Sequence, residues 1–203
     1  IFTDPDGFDI RSLRLDEHHD AYRYHFDVLR RAMRESAGKS FPSMGAFYHA
    51  GDLLDAIRGT EQLLVDCIER PDVVRDAEDW LMEMWCDFFD RTYAAVNGAV
   101  QGSACWFGIW APGKTYAVSN DFSYNISPDM YREIFLPAIR RQMEFLDYSI
   151  YHVDGVNAFA HVDALCKEPR LQAIQILPGA GKPSPLYYLD VLRQVQRAGK
   201  NLH

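Results

Sequence analysis

Segments with helical spacing and segments with strand spacing alternate along this chain, and no other feature constrains its fold as strongly. A helix is predicted from about Asp16 to Ser36, where Tyr22, Phe26, Leu29 and Met33 form one apolar stripe and Gly38 supplies the cap. Phe41 to Phe47 reads as a short strand. Helical spacing returns at Thr60 to Ile68 and again from Pro71, a favoured first-turn residue. Val74, Ala77, Leu81, Met84 and Phe88 mark the buried face of this long helix, and Asn97-Gly98 is expected to stop it. Ala99 to Trp110 then reads as a strand, and Thr115 to Val118 as another. Ser127-Pro128 opens the next helix as cap and first turn. Ser149 to Val153 and Leu171 to Leu177 read as strands with a helix of about ten residues between them. A last helix is expected from Pro185 to Ala198, ended by Gly199, and Asn201-Leu202-His203 reads as the start of a further strand.

This pattern predicts an α/β fold with four or five strands in a single domain over residues 1–203. Pattern alone leaves open an incomplete barrel or an open α/β sheet, since a closed barrel needs eight strands and about 250 residues. The formal charge of −8 argues against a nucleic-acid partner, because the chain lacks the broad basic footprint that grips phosphates. No apolar run is long enough to suggest a membrane span. Cys67, Cys86, Cys105 and Cys166 form no C-x-x-C pair, which points to reduced thiols in a cytoplasmic protein. Asn125-Ile126-Ser127 matches a glycosylation sequon and is read as chance.

Four motifs, in order, carry a resemblance. They are Leu54-Asp55-Ala56-Ile57-Arg58-Gly59-Thr60-Glu61; Asp121-Phe122-Ser123 with Ile126-Ser127-Pro128-Asp129-Met130-Tyr131 and Phe135-Leu136-Pro137; Tyr151-His152-Val153-Asp154-Gly155; and Ala173-Ile174-Gln175 with Pro178-Gly179-Ala180-Gly181. Each is weak alone, but together, over about residues 40–203, they resemble the uroporphyrinogen-decarboxylase superfamily, and its methyltransferase-like branch in particular. The resemblance implies a TIM (β/α)8 barrel that is incomplete in this chain, with open strand edges that another chain or a homo-oligomer would cover. It implies transfer of a methyl group from a small methylated substrate to a corrinoid or thiol acceptor. Zinc is the implied metal, and a corrinoid protein the implied partner. In that branch a His-x-Cys pair ends the metal-binding strand; here the pair is His152-x-Asp154. Two other outcomes follow from the same resemblance. One is a metal-free carboxy-lyase like uroporphyrinogen decarboxylase, whose arginine-rich substrate segment is not found here. The other is a catalytically silent barrel that binds a corrinoid or tetrapyrrole.

The residues themselves suggest where chemistry would sit. His152 and Asp154 are two apart on a strand and share a face, so at the strand's C-terminal end they form a candidate metal-ligand or acid–base pair. A buried His–Asp contact that only braces the sheet is the competing account. Asp121 follows a predicted strand and is a third candidate, weighed against an ordinary turn aspartate. Gln175 is the polar residue of an apolar strand whose isoleucines suit the helix side, which leaves it inward as a substrate-binding candidate or a core-filling amide. Trp106 and Trp110 alternate with Cys105 and Phe107, giving either an aromatic wall for a flat or methylated substrate or plain core. His49 follows the Phe41–Phe47 segment and either reaches the same mouth as a substrate-binding candidate or has only a structural role. Cys105 is read as an inert buried thiol, His161 as packing, and His18-His19 as a solvated face. Gly179-Ala180-Gly181-Lys182 invites a phosphate-loop reading, but Ile176 and Pro183 occupy positions where that motif needs glycine and Ser/Thr.

Overall fold

The computed structural model describes residues 9–203. Helices α1 (Asp20–Ser36), α2 (Ala50–Arg58), α3 (Thr60–Glu69) and α4 (Pro71–Val100) precede a small antiparallel pair, β1 (Ser103–Ala104) and β2 (Trp110–Ala111). Four parallel strands follow: β3 (Thr115–Ser119), β4 (Tyr148–Asp154), β5 (Ala173–Leu177) and β6 (Asn201–Leu202), each hydrogen-bonded to the next in sequence. Helical segments connect them: α5 (Pro128–Met130), a π turn (Tyr131–Phe135) and α6 (Leu136–Phe145) after β3, α7 (Val162–Cys166) after β4, and α8 (Leu189–Arg197) after β5. The α/β class expected from the alternation is therefore present, with a four-stranded parallel sheet.

Tyr116, Val118, Tyr151, Val153, Ile174 and Ile176 come from one face of this sheet and join the main hydrophobic core with the helices. Bulky, largely β-branched or aromatic side chains fill that layer, as strands covered by helices require. The register places Ser119 opposite His152 and His152 opposite Gln175, so the polar residues of the other face form a row at the C-terminal end of the sheet. In α4 the fully buried stripe runs Val74, Ala77, Leu81, Trp85, Phe89, Thr92, Val96. Met84 and Phe88, expected on that face, are half-buried. Phe88 lies at its flank instead, against Tyr22 and Phe26 of α1.

Four sequence expectations are corrected. Phe41 to Phe47 forms no strand: Pro42 has no amide hydrogen to donate, and Gly45 at φ 83° turns the backbone out of the extended region. The segment is tied instead by single bonds, Met44 N–H to the Ala104 carbonyl (3.0 Å) and Phe47 N–H to the Tyr116 hydroxyl (2.9 Å). Ala99 to Trp110 is not one strand either. Helix α4 continues through Asn97-Gly98 to Val100, where Gln101 takes the left-handed cap conformation. The chain then turns tightly at Cys105–Gly108, leaving only two-residue strands on either side. The last helix is split: Pro185–Tyr187 is a separate 3-10 turn before α8. The first helix begins at Asp20 rather than Asp16, with His19 accepting a capping bond from the Ala21 amide.

Candidate metal centre

His152, Asp154 and Asp121 converge at the C-terminal end of β3 and β4. His152 stands two residues before the end of β4, and Asp154 ends it on the same face. Asp121 opens the 3-10 turn that follows β3, which brings it across to its neighbour strand. The His152 Nε2 is 4.0 Å from Asp121 Oδ1 and 3.9 Å from Asp154 Oδ2. One ligand atom from each of the three lies within 4.8 Å of the others.

The imidazole is held in a defined orientation. Its Nδ1–H donates to Gln175 Oε1 at 2.5 Å, and the Gln175 amide donates to His203 Nδ1 at 2.8 Å. This chain of bonds leaves the Nε2 lone pair directed at the carboxylates, the tautomer a metal-binding histidine needs. The donor set of one imidazole nitrogen and two carboxylate oxygens fits zinc or a harder divalent ion. Ligand atoms around a tetrahedral zinc with bonds of about 2.1 Å are about 3.4 Å apart, so closure demands shifts of under about 1 Å. Burial and the neighbouring Asp154 raise the Asp121 pKa, while His152 opposes the shift; two carboxylates this close favour a cation between them. Replacing Gln175 by leucine is expected to lower divalent-ion affinity about 10–100-fold with the three ligands retained, by freeing the ring to rotate and tautomerise. Titration with a competing chelator measures this.

Asp121 separates two cavities. One, of about 350 Å³, is lined by His49, Asp52, Phe47, Tyr116, Trp106 and His152 among others. The other, of about 390 Å³, opens toward Asp154, Gly155 and the Pro178–Lys182 loop. Trp106 reaches the first cavity from the turn between β1 and β2, its ring 5.2 Å from His152. Phe107 lies 5.6 Å from His152 and stacks on His203. Trp110, expected to share this wall, does not. It sits on β2, stacks on Phe41, and donates its Nε1–H to the Val100 carbonyl. The tight Cys105–Gly108 turn breaks the alternation that would have aligned the two tryptophans.

His49 does reach the cavity, as the residue preceding α2 rather than from a strand end. Its Nε2 accepts from the Ser119 amide (3.1 Å), and burial depresses its pKa to about 3, so the ring is neutral with its proton on Nδ1. Among the described residues that Nδ1 has no hydrogen-bond partner. His161 packs against Tyr131 and bonds the Ser123 carbonyl, Cys105 is buried with its thiol pKa raised by burial, and His18 and His19 are exposed, all as expected.

The sequence reading missed Asp52, Ser119, Tyr116 and His203. Asp52 sits in the first turn of α2 and accepts from Ser119 Oγ (3.0 Å) and the Phe122 amide (3.0 Å). Burial, then the charge of Asp121, pushes its pKa up to about 6. Its proximity to His49 was the available signal, but a first-turn aspartate is ordinarily a helix-dipole residue. Gly51 beside it permits the contact that places α2: a Cβ there would lie 2.4 Å from Asn120 Oδ1.

Comparison with protein-family models, curated proteins and solved structures finds no match to this chain.

Proposed function

We propose that the chain is a metal-dependent, methyltransferase-like enzyme of the uroporphyrinogen-decarboxylase superfamily, built on part of a (β/α)8 barrel. It would pass a methyl group from a small methylated substrate to a corrinoid or thiol acceptor. The observation that carries this reading is the Asp121–His152–Asp154 cluster, with its histidine oriented by Gln175, at the C-terminal end of a parallel sheet. The four motifs named above add the family resemblance. When bound, a divalent ion would supply Lewis acidity to the methyl donor or acceptor. Asp121, His152 and Asp154 would hold it, Gln175 would fix the imidazole, and Trp106 would exclude water above the ring.

The cavity favours methyl transfer over the carboxy-lyase alternative. A polycarboxylate substrate needs cationic contacts, and among the described residues no lysine or arginine lines the cavity, whereas Asp52 and Asp121 do. A corrinoid or tetrapyrrole held without catalysis would leave the oriented histidine without a purpose. Among the described residues no helix is long and apolar enough to cross a membrane.

The test is methyl transfer from methylcobalamin to a small thiol, followed by the change in corrinoid absorbance, with wild-type protein and the His152→Ala variant. Turnover in the wild type that falls at least about 100-fold in the variant is the expected result. No methyl transfer from methylcobalamin to a thiol, and none from a small methylated donor to either a corrinoid or a thiol, would refute the methyl-transfer assignment.

A further inference from the structure

Elementary charge balance says what kind of molecule the first cavity accepts. Its walls are aromatic: Phe47, Tyr116 and Trp106 line it together, with Tyr48 at the rim. They are fixed in place. The Tyr116 hydroxyl accepts from the Phe47 amide and donates to the Phe47 carbonyl at 3.1 Å, and its ring lies 4.8 Å from that of Phe47. The Trp106 indole donates to the Ala117 carbonyl. Aromatic faces carry negative charge density, so a rigid aromatic wall attracts a cation without demanding directional hydrogen bonds. The charged lining points the same way. Asp52 and Asp121 are the acidic residues, the two histidines are His49 and His152, and among the described residues the lining has no lysine or arginine. A divalent ion at Asp121, His152 and Asp154 would offset two of the three carboxylates, leaving Asp52 to face a ligand with one positive charge.

From this combination of aromatic wall and uncompensated carboxylate we infer that the cavity binds a small organic monocation, an N-methylated quaternary ammonium or its sulfonium analogue. The inference rests on the methyl-transfer reading only in calling that cation the methyl donor; its binding does not depend on turnover. The volume of about 350 Å³ suits such a headgroup. As a donor, the onium nitrogen keeps the electron pair when its N–CH3 bond breaks. A thiolate lone pair forms the new S–CH3 bond, and a cation and an anion become a neutral amine and a neutral thioether. The reacting charges cancel within the cavity and no oxidant or reductant is needed. Trp106 therefore acts as a substrate-binding residue, and Asp52 as the counter-charge.

The test compares choline with 3,3-dimethylbutan-1-ol, the same shape with carbon in place of charged nitrogen, by calorimetric titration of the chain as purified. Choline is expected to bind at least about tenfold more tightly, and Asp52→Asn and Trp106→Leu should each cut that preference by roughly threefold or more. Equal affinities, or no binding of choline at millimolar concentration, would overturn the inference. Circular dichroism shows whether each variant folds; where one does not, the ratio of the two ligands on the wild type decides alone. Assays of methyl transfer to a corrinoid and to a thiol separate the two claims. Choline preference without methyl transfer leaves the cation site standing and removes the methyl-transfer reading. Methyl transfer without choline preference does the reverse.

Discussion

Protein purified without chelators or metal-affinity columns is expected to carry a stoichiometric divalent ion, and the His152→Ala variant to carry none. His152 supplies the single nitrogen donor of the cluster, and its side chain is 9% exposed, against 57% for Asp121 and 42% for Asp154. Without it, two half-exposed carboxylates remain, and water competes with them on nearly equal terms. Loss of an outer-shell partner already costs a metal site about 10–100-fold in affinity, so loss of a ligand should exceed roughly 100-fold. The same substitution strands the Gln175 Oε1 that accepts from Nδ1, costing about 1–3 kcal/mol of stability. The two effects separate by experiment: elemental mass spectrometry reads the metal, and urea denaturation reads the fold. The Gln175→Leu variant, which loses the bond but keeps all three ligands, should hold its metal about 10–100-fold more weakly than the wild type but more tightly than His152→Ala. A wild type free of every divalent ion under these conditions would remove the metal centre from the proposal.

Replacing Glu78 by glutamine is expected to stabilise the protein at neutral pH, increasingly so as the pH rises. Glu78 lies on α4, is fully buried, and among the described residues neither carboxylate oxygen has a hydrogen-bond partner. Burial first, and then the charges of Asp52 and Asp79, raise its pKa well above the ordinary value. The folded state therefore holds its proton where the unfolded chain has released it. Above the unfolded pKa of about 4.3 the unfolded state binds fewer protons, so stability falls by up to about 1.4 kcal/mol per pH unit until the folded group also ionises. Glutamine has no such term. Urea melts of both proteins at pH 4 and pH 7 should show similar stabilities at pH 4 and a gap of up to about 3.7 kcal/mol at pH 7. A gap independent of pH would mean that Glu78 is already ionised in the fold and has a partner that the structure does not reveal.

Much of the architecture was legible from periodicity. α1, α3, the beginning of α4, β3, β4 and β5 fall where spacing, proline at first turns and Ser127 as a cap place them, because burying one side of a helix or strand imposes its own repeat. The same rule put His152 and Asp154 on one face, and the choice of isoleucines for the helix side put Gln175 on that face too. The failures cluster between residues 41 and 110. There Phe41–Phe47 and Cys105–Trp110 are apolar and extended or tightly turned, and short apolar runs look alike whether they pair in a sheet or fill a gap between helices.

What the sequence alone determined is the α/β class, the strand that carries His152 and Asp154, and the placement of Gln175 on the sheet face opposite the isoleucines, since all three follow from local alternation. Tertiary structure alone decided that Asp121 comes within about 4 Å of His152, that Asp52 from a distant helix is held by Ser119 and Phe122, that Trp106 covers the histidine while Trp110 does not, and that Glu78 is sealed with no hydrogen-bond partner among the described residues. Each of these depends on strand register or helix docking between segments far apart in the chain. A carboxylate's pKa is set by what those distant segments bring against it, and no local pattern encodes that.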